Sequence, residues 1–253
     1  MLRGAHEASE SQKRQLAARR VLIVGVGGLG APAALRLAAA GVGTLGLIDS
    51  DAVELSNLHR QIIYRTTDIA RSKVTAAAAR LQTAYPTVNV EPIAHRLTAA
   101  NVTTLFGAFD FVIDATDGID SKYLVNDAAV LGGVPFSHAG VLAFHGQLMT
   151  VVPHHSACLR CIFPSPPAPD EMPTCQEAGI LGSVAGTIGT LQATEALKFL
   201  LGVGRCLTNR LLTYDAVATR WRTITLARRS DCPLCGEHPT IRAPVAVAGR
   251  SCE

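Results

Sequence analysis

A glycine-rich turn between a strand and a helix constrains the fold of this chain more than any other feature. Residues 20–24 are apolar and partly β-branched, which predicts a short buried strand. The turn Gly25-Val-Gly-Gly-Leu-Gly30 follows directly, and residues 31–40 are rich in Ala and Leu, as in a helix. Glycines let a backbone approach phosphate oxygens closely, and a helix N-terminus offers free N–H groups. The pattern therefore predicts a nucleotide site at the start of an α/β fold.

Strand and helix patterns then alternate along the first half of the chain. Further strands are predicted at residues 44–48, 88–93, 109–113 and 134–137, and helices at 72–84 and 121–131. Such alternation is typical of a parallel sheet that helices cover on both faces. We therefore expect an α/β fold with a doubly wound, mostly parallel, Rossmann-like sheet.

The pattern changes after residue 140. Antiparallel strands are predicted at residues 146–152, 210–214 and 220–226, and a long apolar helix at 181–201. Residues 164–173 are rich in proline and predict an irregular loop. We expect a nucleotide-binding part over 1–140, a smaller antiparallel part over 141–238 and a disordered tail over 239–253.

Composition excludes several classes of protein. Of the 253 residues, 48% are hydrophobic and 17% are charged, so a sizeable core is expected. The net charge is +3, and no basic run is interleaved with aromatic residues, so nucleic acid is not an expected partner. The N-terminal stretch has no apolar signal-peptide core, and no apolar run suits a membrane span. A cytoplasmic protein is expected.

Four of the seven cysteines form two C-x-x-C pairs, Cys158/Cys161 and Cys232/Cys235. Four thiolates satisfy tetrahedral Zn²⁺, and each pair can aim two sulfurs at one point. The long gap between the pairs favours a structural zinc that joins two distant segments. Buried thiols and a redox pair are alternatives, but the thioredoxin-like context of a redox pair is not predicted here.

Polar residues cluster where the predicted strands end. Asp49 lies about twenty residues after the glycine turn, where an acid can bind ribose hydroxyls. Arg60 and Lys73 are cations that suit a triphosphate better than a dinucleotide. Asp117 follows a later strand and could hold Mg²⁺. An NAD-dependent oxidoreductase would leave Arg60, Lys73 and the paired cysteines unexplained.

Five motifs together resemble the MoeB/ThiF/HesA adenylyltransferases, relatives of the ubiquitin-activating enzymes. They are the glycine turn, the Asp49/Asp51 pair, Ser56-Asn-Leu-x-Arg-Gln61, Lys73 and Asp114-x-Thr-Asp117. The resemblance implies ATP-dependent adenylylation of the C-terminal glycine carboxylate of a ubiquitin-like sulfur carrier protein (MoaD/ThiS type) ending in Gly-Gly, with release of pyrophosphate. It also implies a homodimer, zinc at the four paired cysteines, and a place in molybdopterin or thiamin biosynthesis.

The resemblance assigns roles to single residues. Asp49 would bind the ribose, Asn57, Arg60 and Lys73 the phosphates, and Asp117 the Mg²⁺. The full set expected to bind ATP and Mg²⁺ is Gly25, Gly27, Gly28, Gly30, Asp49, Asp51, Asn57, Arg60, Gln61, Lys73 and Asp117. The expected catalytic residues are Arg60, Lys73, Asp117 and Cys175.

Cys175 lies in a Thr-Cys-x-Glu-Ala-Gly motif. In ThiF-like members this cysteine can bond to the carrier or to sulfur, whereas adenylylation in MoeB-like members does not depend on it. Both roles stay open, as does a separate sulfurtransferase. The family's Arg-Tyr-x-Arg-Gln segment does not occur upstream of the first strand, and Gly118 replaces a common Asn. A non-catalytic carrier-binding protein therefore remains an alternative.

Overall fold

The computed structural model describes residues 9–167 and 179–244. The described residues form one eight-stranded sheet in the order β3-β2-β1-β4-β5-β6-β7-β8. Its strands are β1 (Arg20–Val24), β2 (Thr44–Ile48), β3 (Asn89–Ile93), β4 (Phe111–Asp114), β5 (Phe136–Leu142), β6 (His145–Val151), β7 (Arg210–Asp215) and β8 (Arg220–Thr225).

Strands β1 to β5 pair in parallel, and β5 to β8 pair antiparallel. The predicted fold class is therefore confirmed. The boundary expected at residue 140 falls inside β5, which pairs with β4 on one side and with β6 on the other. One sheet thus runs through both predicted parts, and the division into domains stays a prediction.

Helices lie on both faces of this sheet. They are α1 (Glu10–Ala17), α2 (Gly30–Ala40), α3 (Lys73–Ala84), α4 (Val102–Phe106), α5 (Ile119–Gly132), α6 (Leu159–Ile162) and α7 (Gly182–Leu201). One apolar core contains residues of α2, α3 and α7 and the other contains residues of α5 and the paired cysteines. Helices α2, α5 and α7 each end at a glycine with positive φ, where a side chain would be strained.

Most predicted elements agree with the structure to within a few residues. Helix α1 was not predicted, although Ser9 and Gln12 form a reciprocal capping box at its start. The short helices α4 and α6 were also missed, because four or five residues show no clear period. Part of the proline-rich loop lies outside the described residues.

The start of the predicted tail belongs to the fold. The backbone N–H groups of Thr240 and Ile241 both donate to the carbonyl of Pro233, and the side chain of Ile241 packs against the core that contains the paired cysteines. Residues 245–253 lie outside the described part of the chain. Among the described helices, none has the length and hydropathy needed to span a bilayer.

Candidate functional site

An open cleft of about 1570 Å³ lies at the carboxyl ends of β1, β2 and β4. In open α/β sheets, ligands bind beyond these strand ends, where the strand order reverses. Here β1 lies at that reversal, since β2 lies on one side of it and β4 on the other. The predicted site residues that line the cleft are Gly25, Gly27, Gly28, Asp49, Asp51, Asn57, Arg60, Gln61, Lys73 and Asp117.

The glycine turn needs glycine at two positions for different reasons. Gly25 has a φ of +87°, and a Cβ there would lie 2.8 Å from the carbonyl oxygen of Ala115. A Cβ on Gly30 would lie 1.9 Å from the carbonyl oxygen of Gly25. Gly30 therefore lets α2 begin directly against the turn. It does not line the cleft, so its contribution is to the shape of the turn.

Asp49 holds the glycine turn to the end of β2. One carboxylate oxygen accepts a hydrogen bond from the backbone N–H of Val26 at 2.8 Å, and the other accepts from Asp51 at 2.9 Å. Burial raises the pKa of Asp49 above its usual value, against the opposing effect of Lys73. Tyr64, which the sequence did not single out, donates from its hydroxyl to the Val26 carbonyl at 2.8 Å. The turn is thus fixed from two sides.

Lys73 begins α3 and places its ammonium group at the cleft. Its side chain is 8% exposed, and Nζ lies 2.6 Å from Oδ2 of Asp51, whose side chain is 63% exposed. The charge is therefore held by an acid that is itself in contact with water. A phosphate group in the cleft would meet a cation that is already positioned.

Six of the residues in the range 54–61 also line the cleft. Arg60 donates from Nη1 to the carbonyl of Ser56 at 3.1 Å, and Gln61 donates from Nε2 to Oδ1 of Asn57 at 3.2 Å. Gln61 is buried, and its Oε1 has no hydrogen-bond partner among the described residues. An unpartnered buried acceptor is costly, so this oxygen is suited to accept a bond from a ligand or a water.

Asp117 lies exposed on the loop between β4 and α5. Asp114, three residues earlier, is fully buried and accepts bonds from the hydroxyl of Thr116 at 2.7 Å and from His138 Nδ1 at 2.8 Å. Burial alone would raise the pKa of Asp114, but Lys122, His138 and Thr116 together outweigh it and lower the pKa to about 2. Asp114 therefore fixes the loop at the end of β4, and Asp117 lines the cleft.

Lys122 is a cleft residue that the sequence analysis missed. It lies in the first turns of α5 and donates from Nζ to the carbonyls of Thr116 at 2.7 Å and Ala139 at 2.5 Å. The same Nζ is 3.7 Å from Asp114. Lys122 thus joins the Asp117 loop to β5. The only sequence signal for this role is that Lys122 lies in the helix after the Asp117 motif. Lysines are common on helix surfaces, so that position alone does not indicate a cleft residue.

The four paired cysteines come together as predicted. Their sulfurs all lie within 4.8 Å of one another, and all four residues are buried. Separations of 3.4 to 3.9 Å join Cys158 to Cys161, Cys158 to Cys232 and Cys161 to Cys235. A tetrahedral zinc with Zn–S bonds of about 2.3 Å needs sulfurs roughly 3.8 Å apart. The cluster therefore fits a structural zinc.

A buried ion pair ties the cysteine cluster to α5. Arg160, between two of the cysteines, makes two bonds of 2.7 Å to the carboxylate of Asp127. Arg160 also donates to the carbonyl of Pro164 at 2.8 Å, and Tyr123 donates to the carbonyl of Ser165 at 2.7 Å. These hydrogen bonds to Pro164 and Ser165 therefore hold the segment that follows the cysteine cluster.

Cys175 lies outside the described residues, and its predicted role stays a prediction. Cys206 is half-buried and donates toward the carbonyl of Glu195 at 3.8 Å, away from the cleft.

Comparison with known proteins agrees with this geometry. Residues 2–234 match the model of the ThiF family. The sulfur carrier protein adenylyltransferase of Thermus thermophilus is 45% identical over 92% of this chain and 88% of that protein. The SAMP-activating enzyme E1 of Haloferax volcanii is 44% identical over 90% of this chain and 84% of that protein. The E. coli MccB structure with ATP has a TM-score of 0.78 at 21% identity, over 88% of this chain and 69% of that chain, which shows a shared fold.

Proposed function

This chain belongs to the ThiF family, and from that premise we propose that it uses ATP to adenylylate the C-terminal glycine carboxylate of a ubiquitin-like sulfur carrier protein. The observation that carries the proposal is that Arg60, Lys73 and Asp117 line the same cleft as the glycine turn. Two cations and a carboxylate around a phosphate-binding turn suit ATP with a metal ion. The names of the relatives in Thermus and Haloferax support the carrier as the second substrate.

The reaction needs positioning and charge neutralisation rather than proton transfer. A carboxylate oxygen of the carrier attacks the α-phosphorus of ATP and forms a carboxyl–phosphate bond. The bond from the α-phosphorus to the bridging oxygen breaks, and pyrophosphate leaves with its electron pair. No general base is required, because a terminal carboxylate is ionised at neutral pH. Arg60 and Lys73 would neutralise the phosphate oxygens as charge moves to the leaving group.

Asp117 is the residue that would hold Mg²⁺ in this proposal. Mg²⁺ in nucleotide sites is usually bound by one or two carboxylates, by phosphate oxygens and by water. Asp117 is an exposed carboxylate at the cleft, so the residues fit such an ion. A bound Mg²⁺ would withdraw negative charge from the phosphates. Asp49 lies at the end of β2 and would bind the ribose.

A homodimer is part of the same proposal. An apolar groove between α2 and α7 is lined by Leu35, Ile62 and Leu191, and the side chain of Ile62 is 57% exposed. Burial of such a surface against a second copy would stabilise a dimer.

Cys175 stays a candidate for a covalent bond to the carrier or to sulfur, and a separate sulfurtransferase would then be a further partner.

ATP–pyrophosphate exchange tests the proposed activity. Purified carriers ending in Gly-Gly are offered one at a time, and we expect exchange only when a matching carrier is present. Asp117→Asn should lower the rate about a hundredfold, because it removes the carboxylate that would hold Mg²⁺ at the phosphates. Asp231→Asn is the matched control, since Asp231 is exposed and lies outside the cleft.

Exchange without any carrier would contradict the proposal, as would an Asp117→Asn variant as active as the control. A chain that binds a carrier but gives no exchange would instead support the non-catalytic alternative.

A further inference from the structure

One face of the sheet continues from the nucleotide cleft to the outer edge of the molecule. Gly140, Gln147, Thr213 and Arg222 lie opposite one another on β5, β6, β7 and β8. A second row, two residues along each strand, is Leu142, His145, Asp215 and Arg220. Residues two apart in a strand share a face. All eight residues line the cleft, so this face forms its wall on the antiparallel side.

This face is not covered by the long helix α7. A Cβ on Gly146 would lie 2.5 Å from the side chain of Ile188 in α7, so Gly146 and its neighbours across the strands point to the opposite face. The two rows therefore point away from α7, and their outer end is β8, whose six residues are all exposed. Tyr214 and Trp221 stack at 4.1 Å and hold β8 to β7.

Arg220 and Arg222 carry unpaired charge at the outer end of these rows. Over the described part of the chain, neither side chain makes a salt bridge or a hydrogen bond. Asp215 is the one acid in the two rows and lies opposite Arg220 in register, but its ion pair is with His145 at 4.0 Å, and Oδ1 also accepts from the backbone N–H groups of Val217 and Ala218. Residues 202–230 contain six arginines and a single acid, Asp215. Among the other four, Arg210, Arg228 and Arg229 have side-chain partners, such as Asp231 for Arg229.

We propose that Arg220 and Arg222 select the carrier, by binding acidic side chains on its surface beside the C-terminal tail. The inference rests on the proposed function. A carrier must bring its terminal carboxylate to the α-phosphate inside the cleft, so its folded body must lie at the cleft mouth. On the antiparallel side that mouth ends at Arg220 and Arg222. Exposed guanidinium groups at the rim of an interface govern partner choice and association rate through charge complementarity.

The two arginines are too far out along the sheet to belong to the phosphate-binding set. They lie on β8, and four strands separate β8 from β1, which carries the glycine turn. The cations of the phosphate-binding set, Arg60 and Lys73, lie instead beside that turn. The proposal therefore separates carrier recognition from ATP binding, and kinetics can measure the two independently.

The test is the double variant Arg220→Glu/Arg222→Glu in the exchange assay. We expect the KM for the carrier to rise at least about tenfold, with an unchanged KM for ATP and an unchanged rate at saturating carrier. The matched control is Arg80→Glu/Arg205→Glu, which makes the same change in charge on two residues outside the cleft. A carrier whose acidic residues beside the tail are replaced by lysine should restore a low KM with the double variant and lose it with the unchanged chain.

Three results would overturn the inference. They are an unchanged KM for the carrier, a rise in the KM for ATP, or an equal effect in the control variant. A change in oligomeric mass of the double variant, measured by light scattering, would assign the face to a second copy of the chain instead. If the unchanged chain gives no exchange at all, the proposed function fails, and the same charge-swap pattern is then measured as carrier binding by biolayer interferometry.

Discussion

Asp114 lies outside the lining of the cleft but fixes the loop that carries Asp117. It is the last residue of β4 and is fully buried, where it accepts hydrogen bonds from Thr116 and His138 and lies 3.7 Å from the ammonium group of Lys122. The sequence predicted that Asp114 and Asp117 end a strand at the ligand edge. It could not predict which of them is buried, because His138 and Lys122 come from later elements. Asp117 is exposed and lines the cleft, and its role there stays a prediction.

Asp114→Asn should destabilise the fold strongly. The substitution leaves Lys122 buried without a counter-charge, which costs about 3 kcal/mol. Urea unfolding at pH 7 measures this loss of stability. Asp231→Asn is the control, because the exposed ion pair between Arg229 and Asp231 should contribute little to stability. A variant as stable as the control would mean that the interactions of Asp114 contribute nothing to the free energy of unfolding.

The same residue predicts acid sensitivity with a definite sign. The pKa of Asp114 is about 2 in the fold and about 3.9 in an unfolded chain. Its contribution to stability is therefore complete above pH 4 and disappears as the pH falls toward 2, by on the order of 2 kcal/mol. In Asp114→Asn the stability should change less over this window, which unfolding curves from pH 4.5 to pH 2 can measure. If stability depended on pH equally in Asp114→Asn and in the unchanged chain, the lowered pKa of Asp114 would be contradicted.

At the scale of elements, α5 joins three parts of the molecule. Lys122 holds the Asp117 loop, Tyr123 holds the segment that follows the cysteine cluster, and Asp127 holds Arg160 within the cluster. The sequence predicted the helix from its period and the cluster from its C-x-x-C pairs. The link between them could not be predicted, because it depends on a contact between residues 33 apart along the chain.

Metal analysis should find one zinc for each chain, and Cys235→Ser should lose it. Without the metal, the segments that contain Cys158 and Cys232 are no longer joined, so the free energy of unfolding should fall by at least about 3 kcal/mol. Cys206→Ser is the matched control, since Cys206 is a cysteine outside the cluster. Zinc retained in Cys235→Ser, or equal loss of stability in both variants, would contradict a structural zinc.

At the scale of the whole molecule, a single sheet carries both the glycine turn and the face proposed to bind the carrier. Its parallel half carries the glycine turn and its antiparallel half extends to β8. The change from parallel to antiparallel strands was predicted from the switch in pattern after residue 140. The continuity of the sheet was not predicted, because β5 reads as a short strand and its pairing with β6 is a tertiary property.

The groove between α2 and α7 predicts the oligomeric state. Light scattering should give the mass of two chains, and Ile62→Glu should give the mass of one, because a charge would be placed in a buried apolar contact. Ile224→Glu is the control, since Ile224 is an apolar residue of similar exposure outside the groove. A single-chain mass for the unchanged protein would contradict the dimer.

The central claim is that the carrier becomes joined to AMP through its terminal carboxylate. The most direct measurement is to incubate the chain with a Gly-Gly carrier and ATP labelled at either the α- or the γ-phosphate, and to follow label on the carrier. The account predicts label from α-labelled ATP alone, released by hydroxylamine as expected of an acyl phosphate. Label from the γ-phosphate, or a carrier that stays unlabelled while bound to the chain, would contradict it.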